Sequence, residues 1–239
     1  HDSLARPRGL MLPTRWIVPI AILATGSGLE AQQAPNATAL QVSLAPTVDG
    51  RLDDGAWADA EVLTDFVQRE PTDGQPVSEQ TEVRIVYDDE ALYIGAWMLD
   101  SDPIGLIVGQ TLRDASVADS DAFVAVIDTY LDRQNGFVFG TTPSGIEYDG
   151  QVSNEGQGGG GGGSARQQRG SGGGFNLNWD GSWQVATSTD ELGWYAEMRI
   201  PFSTLRYRGG GEQTWGINFG RVIRRKNERA MWAPIPRQF

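Results

Sequence analysis

The chain has 239 residues, 39% of them hydrophobic and 21% charged, with 31 acidic side chains against 19 basic ones for a formal net charge of −12. That length holds one domain with a full core or at most two small ones, and so acidic a chain argues against nucleic acid or anionic lipid as a partner, since both require a cationic footprint. No cysteine is present, which excludes disulfides, thiol nucleophiles, thiolate metal sites and acylated cysteine anchors.

In chain order, Arg6, Arg8 and Arg15 precede the apolar run Trp16 to Ala24, and Thr25-Gly26-Ser27-Gly28 leads to a small-residue cleavage position after Ala31. This is the form of an export signal. Residues 1–31 are expected to be a signal peptide, or a membrane tether if left uncut, and the remainder to be periplasmic or otherwise extracytoplasmic. Met11 would open a compact leader of ordinary form, with His1 to Leu10 upstream of it. Pro19 interrupts the run, which falls short of the roughly 20 apolar residues that a spanning helix needs, so cleavage is the expected outcome. Residues 32–46, rich in Gln, Ala and Pro, read as a linker or arm, and 47–239 as one domain.

Val48-Asp49-Gly50 opens that domain with a tight turn. Asp53 and Asp54 stand where an acidic side chain caps a short helical turn, and Trp57 follows as an apolar anchor. Beyond it the pattern is β. Val83, Ile85 and Tyr87 alternate with Glu82, Arg84 and Val86, and Asp88-Asp89-Glu90 turns the chain into a second run, Ala91 to Met98. Ala122 to Tyr130 is apolar on both faces, as a central strand is, and Gly136 to Thr141 is expected to pair beside it. Residues 156–174 contain eleven glycines and read as a flexible loop. They lack the strand, helix start and lysine that a phosphate loop needs. Trp183 to Ser188, Gly193 to Ile200 and Trp215 to Val222 complete the strands. In the second of these Trp194, Ala196, Met198 and Ile200 alternate with Tyr195, Glu197 and Arg199 before Pro201 ends the run. Short strands between Gly, Pro and Asp turns, with no sustained helical period, predict an all-β antiparallel sandwich.

The chemistry open to such a chain is narrow. Its one histidine is His1, so no Ser-His-Asp triad and no His-rich metal centre exists beyond the leader. Asp119 with Asp121, or Asp88 with Asp89, are the carboxylate pairs from which glycosidase chemistry would be built, although acids at strand edges commonly serve turns and solubility. Structural calcium suits closely spaced oxygen ligands on loops, and Asp100, Asp102, Asp119, Asp121 and Asp128 are the candidate ligands; exposed acidic turns are the plainer alternative. A sugar site needs aromatic faces beside hydrogen-bonding groups. Trp57 and Trp194 have the phase of core anchors, and Trp215 shares a strand face with Ile217 and Phe219. Trp97, Trp179, Trp183 and Trp232 are left. Trp179 and Trp183, standing beside Asn176, Asn178 and Asp180, form the candidate ligand platform.

The turn Val48 to Trp57, the hairpin Val83 to Gly95, Asp119-Ser120-Asp121, the strand Trp194 to Ile200 with Pro201-Phe202-Ser203-Thr204-Leu205 after it, and Trp215-Gly216-Ile217-Asn218-Phe219 resemble the family 9 carbohydrate-binding modules and their DOMON-like relatives. The match runs from about Thr47 to Arg221. Asn135 to Phe139, Asp149-Gly150 and the continuation Asn218 to Phe239 are most similar to a subgroup in which the module precedes an outer-membrane-barrel-like domain of unknown function. The resemblance implies a β-sandwich with structural calcium and two sugar-sandwiching aromatics that find no definite counterpart here. The expected function is therefore non-catalytic binding. The leading reading is an accessory subunit docking onto protein partners in a membrane-associated transport, respiratory or photosynthetic complex, with membrane contact through the leader if it is uncut. The alternative is recognition of a glycan, and the third reading is a carboxylate-based glycoside-active enzyme.

Overall fold

A computed structural model describes residues 35–153 and 174–235. The expected leader, residues 32–34 of the expected linker and all of the glycine-rich stretch but Gly174 lie outside them.

The first sheet grows from the hairpin of strands β3, Thr81–Tyr87, and β4, Ala91–Leu99. Asp88 fixes the turn, its Oδ1 accepting the backbone N–H groups of Glu90 and Ala91 at 2.8 Å each. Strand β10, Gly193–Pro201, pairs antiparallel with β4 and sets Trp194 opposite Met98 and Ile200 opposite Leu92. Strand β9, Gln184–Asp190, forms one edge, and β1, Leu40–Gln41, lies parallel to β3 at the other. The order is β1-β3-β4-β10-β9. Part of the expected linker is thus a strand, recruited because its short ladder continues an otherwise open edge.

The second sheet has seven strands in the order β2-β12-β11-β5-β6-β7-β8: β2 Val67–Glu70, β5 Ala122–Asp128, β6 Gly136–Thr141, β7 Tyr148–Val152, β8 Phe175–Asn176, β11 Gly216–Ile223 and β12 Glu228–Met231. Strand β5 is central, as its two apolar faces predict, but it ends two residues before Tyr130. There the Asp128 carboxylate bends the chain by accepting the N–H groups of Tyr130 at 3.1 Å and Arg133 at 2.7 Å.

The inward faces of the two sheets meet in one core. Val83, Ile94, Met98, Trp194, Met198 and Ile200 face Phe123, Ile127, Phe139 and Phe219, all buried, and each such side chain contributes about 1.5–3 kcal/mol through burial. One end of the sandwich is closed by ions. Arg221 is 1% exposed and donates to the carbonyls of Gln80 at 2.8 Å and Leu99 at 2.7 Å, with an Asp100 oxygen 3.7 Å away. Burial pushes its pKa down to about 10, with the acids around it opposing the shift, so it stays charged at neutral pH.

A smaller apolar cluster lies on the outer face of the first sheet, under residues 40–60. Trp57 is buried there and Glu197 beneath it is 1% exposed. One Glu197 oxygen accepts the N–H groups of Asp49 and Gly50 at 3.0 and 2.8 Å, and the other accepts the Trp57 indole N–H at 3.0 Å. Gly50 has φ +82°, and a Cβ there would stand 2.6 Å from the backbone carbon of Thr187, so no larger residue fits. Asp54 heads the 3-10 turn Gly55–Trp57 as expected, yet its carboxylate does not cap that turn; it accepts the Thr47 N–H at 2.7 Å.

Candidate ligand-binding surface

The chain leaving β8 runs between the open edges of the two sheets, and this path places the aromatic candidates. Trp183 is 5% exposed. Its ring meets Phe139 edge-on with centroids 5.2 Å apart, and its indole N–H donates to Asp149 at 3.2 Å. No face of it is free for a sugar. Trp183 is core, because the inward phase of the residue before β9 sets it against β6.

Trp179 differs. It is half-buried, resting on Phe137 at 5.1 Å and Phe139 at 5.9 Å between centroids. Gly181 makes room for it, since a Cβ at that position would lie 2.7 Å from the ring. Asn176 and Asn178 flank it in a short turn in which the Asn178 N–H donates to the Asn176 Oδ1 at 3.1 Å, and Asn178 is exposed.

Arg113 and Asp149 complete the surface. The Asp149 carboxylate is 1% exposed and accepts the Gly181 N–H at 2.7 Å, which fixes the backbone beneath Trp179. Burial pushes its carboxyl above the usual range, against the opposing hydrogen bonds of Gly181 and Trp183. Arg113 reaches in from the loop before β5 and donates to Asp149 at 2.6 Å, to Glu147 and to the exposed Asp180. The polar rim is therefore rich in acceptors, with one guanidinium among three carboxylates. Sequence reasoning missed Arg113 and Asp149. A lone arginine in a loop carries no spacing signal, and Tyr-Asp-Gly-Gln-Val lacks the alternation that marks a strand.

The five aspartates expected to bind calcium are dispersed. Asp100 is gripped by both terminal nitrogens of Arg225 at 2.9 and 2.6 Å. Asp121, fully buried, accepts the Ile107 N–H at 2.7 Å and the Arg224 N–H at 3.3 Å. Asp128 is spent on its turn, while Asp102 and Asp119 are exposed. Among the described residues no three acidic or histidine side chains are grouped to hold a metal ion. At Asp100, Asp121 and Asp128 guanidinium or backbone N–H groups occupy lone pairs that a cation would need. The carboxylate pairs fare likewise as acid-base groups: Asp121 is buried in backbone hydrogen bonds, and Asp88 holds the β3–β4 turn.

The sequence matches no protein-family model and no curated protein. Two solved structures of a family 9 carbohydrate-binding module from Caldicellulosiruptor kristjanssonii, in complex with cellotriose and with glucose, align at 15% identity and a TM-score of 0.48 over 82% of this chain and 88% and 91% of theirs. A structure from Bacteroides uniformis, described as a "putative carbohydrate-binding protein", aligns at 14% identity and a TM-score of 0.57, covering 84% of this chain and 91% of that one. The chain shares with that protein the two-sheet β-sandwich fold.

Proposed function

We propose that the chain is an exported, non-catalytic module that binds a neutral glycan, with a pyranose ring stacked on Trp179. The observation that carries this reading is the half-buried Trp179 ring, seated on Phe137 and Phe139 beside a rim of hydrogen-bonding groups. A ring held from behind is pre-organised, so little entropy is lost when a ligand packs on its open side. Asp180, Glu147 and Asn178 accept hydroxyl protons, and the excess of carboxylates over Arg113 disfavours uronic or sulfated sugars. The fold likeness to the Bacteroides uniformis protein supports glycan recognition over docking onto a membrane complex, which has the acidic charge as its support.

Affinity electrophoresis through gels containing neutral polysaccharides tests the reading. Retardation by at least one of cellulose ethers, xylan, mannan or mixed-linkage glucan, with no reducing ends released on incubation, is expected. Unretarded migration in all of them would refute glycan binding, and released sugar would refute the non-catalytic role.

A further inference from the structure

An aromatic group with an exposed tyrosine at its edge lies on two loops at the end of the sandwich where β5 and β10 finish. Residues 129–135 join β5 to β6. Within them Leu131 and Arg133 have φ of 54° and 59°, a left-handed conformation that ordinary L side chains rarely adopt. Two carboxylates hold it in place. Asp128 accepts the N–H groups described above, and Asp132 accepts those of Gln134 and Asn135 at 2.8 Å each. The result displays Tyr130 at 40% and Leu131 at 52% exposure. Leu131 sets one methyl 3.6 Å from where a Cβ on Gly216 would stand, next to Trp215, and strain of this kind collects at functional sites.

The β10–β11 connection lies against this loop, tied to it where the Thr129 hydroxyl donates to the Arg206 carbonyl. It carries a triangle of rings: Phe202, Tyr207 and Trp215, with centroid separations of 6.1, 6.2 and 5.5 Å. Tyr207 is 38% exposed. The connection that carries the group passes beside Trp179, since a Cβ on Gly181 would stand 2.7 Å from the Trp179 ring and 3.1 Å from the Thr204 methyl. Thr204 is two residues from Phe202. In a chain of net charge −12 the two loops are balanced, Asp128, Asp132 and Glu212 standing with Arg133, Arg206 and Arg208. They are not built to attract a basic protein. Aromatic and aliphatic surface ringed by both charge signs suits an uncharged, hydroxylated partner.

We infer that Tyr207, backed by Trp215 and flanked by Leu131, is a second stacking platform that continues the first, so that the ligand is a chain of several neutral sugar units. This rests on the glycan reading above. Calorimetric titration of the full 239-residue chain with glucose, xylose and mannose, and with cellohexaose, xylohexaose and mannohexaose, separates the two claims. Tyr207→Ala should weaken hexasaccharide binding by about tenfold, the scale of one lost aromatic contact, and leave any monosaccharide affinity unchanged. Leu131→Gly should raise the melting temperature by relieving the left-handed turn, yet weaken hexasaccharide binding; a purely structural role would not move both in opposite senses. If both variants bind hexasaccharides as the wild type does while Trp179→Ala does not, the second platform is wrong and the first stands. If the wild type binds none of the six sugars, both fall. A dimer in sedimentation that Tyr207→Ala dissociates would overturn the inference in favour of self-association.

Discussion

Glu197→Gln tests how the segment carrying the first sequence motif is held on its sheet. The carboxylate serves three donors, two backbone N–H groups at one oxygen and the Trp57 indole at the other. A glutamine that keeps its carbonyl toward Asp49 and Gly50 must turn its NH2 toward the indole N–H, leaving two buried donors face to face. An unsatisfied buried donor costs about 1–3 kcal/mol, so Glu197→Gln should lose that much in urea unfolding at pH 7. In a Trp57→Phe background the opposing N–H is gone, and the cost should fall to about 0.5 kcal/mol or less, giving a coupling of about 1 kcal/mol or more between the two positions. A pH series adds a second reading. Burial holds the Glu197 carboxyl above the usual carboxylate range, the hydrogen bonds from Asp49, Gly50 and Trp57 opposing it. The folded state thus binds this proton more tightly than the unfolded one, and wild-type stability falls as pH rises through that window. Glu197→Gln lacks this term, so its deficit should narrow as pH rises from 4.5. Additive effects of the two substitutions would refute the assigned hydrogen bonds, and a deficit that widens with pH would refute the dominance of burial over them at this carboxyl.

Trp183→Ala should cost about 3–5 kcal/mol, as emptying a buried aromatic site does, whereas Trp179→Ala should cost less than half as much; equal losses in urea unfolding would make Trp179 core and remove the platform. Burial alone would raise the Glu79 carboxyl, but Lys226 and Ser101 outweigh it and bring it to about 2 from 4.5. Its stabilisation, roughly 3 kcal/mol, is present above pH 4.5 and lost as pH falls toward 2, and Glu79→Gln should flatten the melting temperature over that range. Chelation with EDTA should leave the melting temperature unchanged, because Asp100, Asp121 and Asp128 are already satisfied by protein donors. A drop that added calcium reverses would show instead a metal-stabilised fold.

The strands with strong alternation, β3, β10 and β11, were legible to within a residue or two, because a period of two with one face buried leaves little freedom of register, and β4 was legible as the apolar run that follows the Asp88 turn. Strands β2, β7, β8 and β12 were not, since Val-Gln-Arg-Glu or Glu-Arg-Ala-Met becomes a strand only by pairing with a neighbour already in place. The tryptophans divided in the same way. Trp57 and Trp194 declared their burial through the residues around them, whereas Trp179 and Trp183, four apart and both in an apparent loop, separated only when Asp149 took the Trp183 indole N–H into the core and Gly181 left room for the Trp179 ring at its margin. The acidic pairs misled for a physical reason: spacing shows where carboxylates stand, but their loops also bring Arg225 and backbone N–H groups to meet them.

The most direct test of the central claim is calorimetric titration of Trp179→Ala, beside the wild type, with whichever neutral oligosaccharide the wild type binds. Loss of binding with an unchanged circular dichroism spectrum is the predicted result. Wild-type affinity in Trp179→Ala would contradict the site, and with it the reading of this chain as a glycan-binding module acting through that ring.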